Sequence, residues 1–242
     1  MKSILKTILN IILPPRCPCC GKIVVLEHTL CESCFDKIQF IAKPYCKICG
    51  IPFENETDAN LSKICAKCAS QKRITRLNRS AILYDDFSKK LILDFKFFSK
   101  TQNAKLLAKW LYMAGKDIFD EGVDLIVPVP LSYKRLLFRG YNQSAVLARL
   151  LSKQAKIKTD LFNLKKIKHT KPQSSLTENA RLKNVKNVFQ VQNCSKIKNK
   201  RIVLIDDVLT TGATLAECAK VLLKAGAESV DTLTIARVKK DA

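Results

Sequence analysis

The sequence predicts two parts, a small cysteine-rich domain and, after it, an α/β domain built on a mostly parallel sheet. Eight of the 11 cysteines form four Cys-x-x-Cys pairs within the first 68 residues. From Ser80 onward, apolar runs suited to strands alternate with segments of helical periodicity. We place an N-terminal helix at residues 1–15, the cysteine-rich domain at 16–70 and the α/β domain at 80–242.

The composition is that of a folded, strongly basic protein. The 242 residues include 43 Lys+Arg and 21 Asp+Glu, which gives a formal net charge of +22 and a pI of about 9.7. A hydrophobic fraction of 47% excludes an intrinsically disordered chain, and seven glycines and eight prolines exclude a collagen-like one. No stretch approaches the roughly 18 uncharged apolar residues of a membrane-spanning helix. The excess positive charge is suited to a nucleic-acid partner.

The first 15 residues, MKSILKTILNIILPP, predict a short amphipathic helix that ends at Pro14. Its apolar residues fall at helical spacing. Lys6 and Asn10 interrupt the apolar run and no small-residue cleavage site follows, which argues against a secretion signal. We therefore expect a cytoplasmic protein.

The four cysteine pairs predict zinc binding. Cys-x-x-Cys spacing places two thiolates on one tight turn, which suits a tetrahedral ion with Zn–S distances of about 2.3 Å. A disulfide framework would require export, for which no signal is present. Sites with four thiolates leave no open coordination position, so we expect two structural ions rather than catalytic ones. The expected ligands are Cys17, Cys20, Cys31, Cys34, Cys46, Cys49, Cys65 and Cys68.

An internal repeat bears on how the pairs share the two ions. Glycine follows the second cysteine of the first and third pairs, at Gly21 and Gly50, and of no other pair. This favours two consecutive ribbons, each with one ion, over a crossed arrangement of first with third and second with fourth. Because structural zinc contributes folding free energy, we expect metal removal to unfold residues 1–70 and to spare the rest.

The first half of the α/β domain contains four predicted elements. Ser80–Tyr84 is a short strand, and Phe87–Phe98 and Asn103–Ile118 are helices because their apolar residues recur every three or four positions. Val123–Val129 is a short apolar run suited to a buried strand, and two prolines stop it.

The second half completes the alternation. Gln143–Ala155 is predicted as a helix, Lys200–Ile205 as a buried strand, Leu215–Ala225 as a helix that ends before a glycine, and Val230–Ala236 as the closing strand. Between them, Lys165–Asn187 is long, polar and basic, which is typical of a functional lid or a solvated loop.

The run IVLIDDVLTTGATL, from Ile202 to Leu215, has the features of a phosphate-binding turn. Two carboxylates, Asp206 and Asp207, follow a buried strand, and a Thr/Gly turn then leads into a helix. Backbone N–H groups at a helix N-terminus attract anions, and a glycine lets the backbone approach them closely. The carboxylates are placed to accept hydrogen bonds from a sugar diol. The alternative is a capped strand–helix turn with incidental acids; neither GxxxxGK[ST] nor GxGxxG is present.

This run resembles the phosphoribosyl pyrophosphate (PRPP) motif of type I phosphoribosyltransferases: a hydrophobic strand, Asp-Asp, then TTGxT. Two further blocks, VPVPLSYKRLLFRGYNQS and the series Thr170, Gln173, Arg181 and Asn184, resemble the ComF family, also called ComFC or GntX-like proteins. Those proteins join an N-terminal double zinc ribbon to a type I phosphoribosyltransferase-like domain. The resemblance covers nearly the whole chain and implies the same architecture here.

The resemblance also implies roles for individual residues. Asp206 and Asp207, the catalytic pair, would bind the ribose hydroxyls of PRPP. The 5′-phosphate would be held by Thr210, Thr211, Gly212, Ala213 and Thr214.

Two further groups would contact the diphosphate. One comprises the cations Lys134, Arg135 and Arg139, for which the alternative is a solvated basic helix face. The other comprises Thr170, Gln173 and Arg181 on a mobile loop, for which the alternative is a solvated loop. Lys96 resembles a lysine found in this family before the first long helix.

The implied reaction is displacement at ribose C1, in which diphosphate leaves with Mg²⁺ and a nucleophile attacks. No hood segment of the purine or orotate type is present, so the acceptor stays open. The resemblance further implies a link to DNA uptake and natural transformation, with single-stranded DNA and a competence-associated helicase as partners. The alternatives are a non-catalytic regulator that binds PRPP or a nucleotide, and a single-stranded-DNA-binding competence factor.

Overall fold

The computed structural model describes residues 13–54, 62–71, 73–97, 103–168 and 185–239. Most of the predicted N-terminal helix lies outside these residues. The described helices, in chain order, are α1 (Glu32–Phe35), α2 (Ala66–Ser70), α3 (Asp86–Phe97), α4 (Ala104–Ala114), α5 (Lys116–Asp120), α6 (Tyr133–Arg139), α7 (Gln143–Ala155) and α8 (Ala213–Lys224). The strands are β1 (Asn78–Leu83), β2 (Leu125–Pro128), β3 (Lys158–Thr159), β4 (Leu164–Lys166), β5 (Phe189–Val191), β6 (Arg201–Leu209) and β7 (Ser229–Arg237).

Five of these strands form one sheet in the order β1-β7-β6-β2-β3, and every neighbouring pair is parallel. The predicted α/β class with a mostly parallel sheet is thus confirmed. β4 and β5 pair with each other as an antiparallel hairpin outside this sheet. None of the described helices is long and apolar enough to cross a bilayer.

The central strand β6 shows how the sheet is covered on both faces. Val203 and Ile205 pack into the core on the side of α3, α4 and α7, whereas Ile202 and Leu204 pack into the core on the side of α8. Successive side chains of a strand point to opposite faces, so the alternation identifies the face of every later residue in β6. A parallel sheet that is apolar on both faces requires helices on both sides, as found here.

Two predicted elements differ from the structure in more than one or two terminal residues. The helix predicted over Asn103–Ile118 is divided into α4 and α5 at Gly115. A Cβ at Gly115 would lie 2.8 Å from the side chain of Leu233, so the glycine allows the chain to pack closely on β7. The strand predicted to end at Ile205 continues to Leu209, because its pairing with β7 runs on through that residue.

Four short elements of the α/β domain were not predicted: β3, the hairpin strands β4 and β5, and helix α6. The first three have two or three residues each, too few to show a periodicity. Helix α6 has no buried residue, so it lacks the apolar stripe from which helices are recognised.

The cysteine-rich part contacts the edge of the sheet at β1. The backbone N–H of Ile41 donates to the carbonyl of Ala81 (3.0 Å), and the N–H of Leu83 donates to the carbonyl of Gln39 (2.8 Å). Between these bonds, the ring of Phe40 lies edge-on to Trp110 of α4, with centroids 5.1 Å apart. The two parts of the chain therefore share a packed boundary.

Candidate functional site

The candidate site lies where β6 ends and α8 begins. Gly212 has φ = +79°, a conformation that glycine adopts without strain, and it immediately precedes the first residue of α8. The hydroxyl of Thr211 accepts a hydrogen bond from the N–H of Ala213 (3.4 Å), and the carbonyl of Gly212 accepts one from Ala216 (2.8 Å). The turn thus directs the N-terminus of a twelve-residue helix at the carboxyl edge of the sheet, where its first N–H groups have no intrahelical acceptor.

The acidic doublet lies within β6, so its two carboxylates face opposite sides of the sheet. By the alternation of β6, Asp207 shares the face of Val203 and Ile205, where the ammonium of Lys96 lies 3.0 Å from its Oδ2. Asp206 shares the other face, and its Oδ1 accepts a hydrogen bond from the hydroxyl of Ser144 (3.1 Å). The expectation that both carboxylates lie beyond the strand end was wrong. They lie three and two residues before Leu209, the last residue of β6, and project from opposite faces of the sheet.

The environment of Asp206 raises the pKa of its carboxyl group to about 7. Burial of the carboxyl is the main cause and the neighbouring charge of Asp207 the second, while Lys96 and the Ser144 hydroxyl act in the opposite direction. Asp206 therefore titrates near neutral pH, and its charge depends on the groups around it.

The block RGYNQS, residues 139–144, connects α3, the start of α7 and the end of β2 around the doublet. The hydroxyl of Tyr141 donates to the carbonyl of Phe95, and Nε2 of Gln143 donates to the carbonyl of Lys96 (2.9 Å). Nδ2 of Asn142 donates to the carbonyl of Val129 at the end of β2 (3.1 Å). These bonds fix the end of α3, which carries Lys96, against the start of α7, which carries Ser144.

The three cations predicted for the diphosphate differ in position. Nη1 of Arg139 donates to Oε1 of Gln143 (3.2 Å). Burial lowers the pKa of Arg139, Arg135 acts in the same direction, and the charges of Asp207 and Asp206 act against both. Arg139 therefore lies in the electrostatic environment of the doublet, and Arg135 lies close enough to act on Arg139. Lys134 is exposed on α6.

The sequence did not identify Lys166 as a cation near the doublet, because this lysine falls within the long basic segment that was assigned to a loop. The structure places it on β4, partly buried, with its Nζ 5.8 Å from the ring centroid of Phe189. Burial, followed by the charge of Arg135, lowers the pKa of Lys166 to about 8, whereas Cys218 and Asp206 act in the opposite direction. Lys166 is thus a further cation near the doublet. Thr170, Gln173 and Arg181, which the resemblance assigned to a mobile loop, lie outside the described residues.

The eight paired cysteines form two tetrads, one from the first two pairs and one from the last two, with the four sulfurs of each within 4.8 Å of one another. This grouping confirms the two consecutive ribbons and excludes the crossed arrangement. A tetrahedral site with Zn–S of about 2.3 Å requires sulfurs about 3.8 Å apart. The Sγ atoms of Cys20 and Cys31 are 3.5 Å apart and those of Cys49 and Cys65 are 3.7 Å apart, so both tetrads fit structural zinc.

The surplus cysteine of the first ribbon, Cys19, is not part of its tetrad. It is partly buried against the core of the α/β domain, and burial raises the pKa of its thiol to about 12. Cys19 therefore stays a protonated thiol and packs as a small apolar side chain.

Comparison with known proteins yields matches over nearly the whole chain. Residues 8–69 match the double zinc ribbon domain, and residues 141–242 match the phosphoribosyl transferase domain. Competence protein F of Haemophilus influenzae is 31% identical over 226 residues, which cover 90% of this chain and 95% of that protein. Competence protein ComFC of Bacillus subtilis is 29% identical (87% and 85% covered), and DNA utilization protein YhgH of Escherichia coli K12 is 29% identical (93% and 97% covered).

Proposed function

Because the chain belongs to the ComF family, whose members join a double zinc ribbon to a phosphoribosyltransferase domain, we propose that it binds PRPP at the turn between β6 and α8 and serves in DNA uptake. The observation that carries the proposal is the pairing of an acidic doublet with a helix N-terminus at one sheet edge. Asp206 and Asp207 lie four and three residues before Thr210, so one ligand with a diol and a phosphate can contact both groups. Ligands of open α/β sheets bind in this crevice beyond the carboxyl ends of the strands.

Each part of PRPP has a complementary group in the proposed complex. The carboxylates of Asp206 and Asp207 accept hydrogen bonds from the ribose hydroxyls. The hydroxyls and N–H groups of Thr210–Thr214 hold the 5′-phosphate, aided by the positive end of the α8 dipole. Arg139 and Lys166 face the diphosphate. Mg²⁺ carried by the diphosphate would neutralise part of its charge, and the carboxylates of the doublet are hard oxygen ligands of the kind it prefers.

The proposed chemistry is phosphoribosyl transfer. The bond between ribose C1 and the diphosphate oxygen breaks, the electron pair leaves with the diphosphate, and a nucleophile of the acceptor forms the new bond to C1. The cations that bind the diphosphate stabilise the charge that develops on the leaving group. A non-catalytic PRPP-binding regulator would use the same contacts without turnover.

Calorimetric titration with PRPP and Mg²⁺ tests the binding step. We expect saturable binding by the wild-type chain and none by the variant Asp206→Asn/Asp207→Asn with an unchanged circular dichroism spectrum. Binding by that variant, or none by the wild type, would contradict the proposal. Diphosphate release in the presence of nucleobases or single-stranded DNA then distinguishes an enzyme from a regulator, because a regulator binds PRPP and releases no diphosphate.

A second candidate function, single-stranded DNA binding, is favoured by a groove at the opposite edge of the sheet. The groove has a volume of about 470 Å³ and lies before the first residues of β2 and β6. Its wall contains the lysines Lys158, Lys196 and Lys200 and the ring of Phe162, which is 75% exposed. Basic grooves with exposed aromatic rings bind single strands by phosphate contacts and base stacking.

The two acids of this groove are engaged with backbone N–H groups. Oδ2 of Asp124 accepts from the N–H of Arg201 (2.9 Å), and Oδ1 of Asp160 accepts from the N–H of Phe162 and Asn163 (3.2 and 3.1 Å). Their charges are therefore partly satisfied within the protein, which leaves the lysines to set the potential of the groove.

Fluorescence anisotropy with a labelled oligonucleotide tests this candidate. We expect Lys158→Gln/Lys196→Gln to weaken binding and to reduce the slope of log affinity against log salt by about 1 to 2. The slope falls because each phosphate contact releases counterions on binding, and the variant makes fewer such contacts. The matched control is Lys105→Gln/Lys109→Gln, which removes two exposed lysines from α4. Equal effects of the two variants would show that net charge, rather than the groove, binds the DNA.

A further inference from the structure

The second ribbon docks on the α/β domain through its first knuckle, residues 47–50. The N–H of Asn78 donates to the carbonyl of Ile48 (2.8 Å), and Nη2 of Arg79 donates to the carbonyl of Lys47 (2.9 Å). A Cβ at Gly50 would lie 2.6 Å from the carbonyl oxygen of Asn78. The knuckle is therefore in direct backbone contact with β1.

A buried arginine of β7 also connects the second ribbon to the sheet. Arg237, the last residue of β7, is 8% exposed, and its Nη1 donates to the carbonyl of Cys49, a residue of the second tetrad. Among the described residues, its Nε has no hydrogen-bond partner. A guanidinium is always charged, and a charge buried in this way requires compensation. Four thiolates around a bound Zn²⁺ would carry a net charge of about −2, which would supply this compensation.

The backbone of Arg237 lies beside the phosphate-binding turn. Arg237 is the register partner of Leu209, the residue before Thr210. The N–H of Val238 donates to the carbonyl of Leu209 (2.9 Å), and the N–H of Tyr84 donates to the carbonyl of Arg237 (2.7 Å). Arg237 thus contacts the second tetrad through its side chain, and its backbone pairs with Leu209 at the start of the turn.

We propose that Arg237 is a positioning residue that couples the second metal site to the phosphate-binding turn, so that ligand affinity depends on the second tetrad and far less on the first. The proposal rests on PRPP binding at this turn. The first tetrad provides the contrast: its knuckle, residues 17–21, packs on the α/β domain through Cys19, but among the described residues no hydrogen bond joins that knuckle to the sheet. Loss of zinc from the second ribbon would thereby reduce binding at a site on another element.

The experiment compares Cys65→Ser, in the second tetrad, with Cys31→Ser, in the first, and both with Arg237→Met. Zinc content and PRPP affinity are measured for each purified full-length chain. We expect Cys65→Ser and Arg237→Met to lose about tenfold or more in affinity, the usual effect of disturbing the groups that surround a metal site. Cys31→Ser should stay within about threefold of wild type while it loses one zinc per chain. Arg237→Lys, which keeps the charge, should recover part of the affinity.

Hydrogen exchange of the peptide that contains Leu209–Thr214 is measured on the same proteins without ligand. We expect faster exchange in Cys65→Ser and Arg237→Met than in Cys31→Ser, which a general loss of stability would not produce because it would raise exchange throughout the sheet. Wild-type affinity in Arg237→Met, or equal losses in the two cysteine variants, would overturn the proposal. If wild type itself does not bind PRPP, the proposed function fails, and the exchange data still decide whether the coupling exists.

Discussion

The ammonium group of Lys96 lies 3.0 Å from a carboxylate oxygen of Asp207, and both side chains are less than one-fifth exposed. Lys96 also lowers the pKa of Asp206, on the other face of the strand. One cation from α3 therefore pairs with Asp207 and controls the charge of Asp206.

Replacement of Lys96 by methionine tests this control. Without the ammonium group the pKa of Asp206 should rise further above about 7, so that more of the carboxyl is protonated at pH 7. We expect about a tenfold loss of PRPP affinity at pH 7 and a smaller loss at pH 8.5, where Asp206 ionises again. Lys89→Met, which removes an exposed lysine from the same helix, is the control and should bind PRPP as wild type does. An equal loss at both pH values would contradict the mechanism.

The pKa of Asp206 also predicts how stability depends on pH. In the folded chain it is about 7, against an ordinary value of 3.8. Between these values the folded state binds a proton that the unfolded state has released, so this group makes the folded state less stable as pH rises, and the full cost is present above pH 7. Asp206→Asn removes the cost. We expect the variant to exceed wild type in free energy of unfolding by about 4 kcal/mol at pH 8 and by little at pH 4, from urea titrations. A pH-independent difference would show that burial of the carboxyl does not destabilise the chain.

Local patterns were sufficient to predict the two cysteine tetrads and the turn between β6 and α8, but not the contacts that surround the acidic doublet. The cysteine pairs and the turn after Asp207 are each contained in fewer than 20 consecutive residues, because knuckles and strand–helix turns are local structures. The contacts of Asp206 with Ser144 and of Asp207 with Lys96 join residues distant in sequence. They arise when α3 and α7 pack on the sheet, which no local pattern specifies.

The docking of the second ribbon shows the same limit. The sequence predicted a cysteine-rich domain at residues 16–70 and an α/β domain from residue 80, with no reason to expect the bond from Arg237 to the carbonyl of Cys49. An arginine at the end of an apolar strand looks like a solvated residue until the neighbouring charge is known. The contact also makes us expect that zinc removal affects the sheet as well as the ribbons.

Lys166 provides a test of the diphosphate contacts. Its pKa is about 8, so its ammonium loses its proton at mildly alkaline pH. We expect PRPP affinity to fall between pH 7.5 and 9 in wild type, since the neutral amine no longer attracts the diphosphate. Lys166→Arg, which stays charged, should abolish this fall, and Lys166→Met should be weak at every pH. Calorimetry across the pH range measures all three. A fall that persists in Lys166→Arg would assign the titration to another group.

Two glycines of the ribbons provide a matched pair for the docking contact. Gly50 (φ = +67°) and Gly21 (φ = +77°) occupy equivalent knuckle positions. A Cβ at Gly50 would meet the carbonyl oxygen of Asn78 at 2.6 Å, whereas one at Gly21 would meet nothing within 4 Å.

Gly21→Ala should cost only the strain of the left-handed backbone, about 1 to 2 kcal/mol. Gly50→Ala should add an overlap that neither backbone can relieve, for a total of about 3 kcal/mol or more in the free energy of unfolding. Tryptophan fluorescence of Trp110, which contacts Phe40, follows the unfolding of the sheet in urea. Equal shifts in the two variants would show that the second ribbon is held no more tightly than the first, whereas a larger shift in Gly50→Ala measures how strongly the knuckle and β1 stabilise each other.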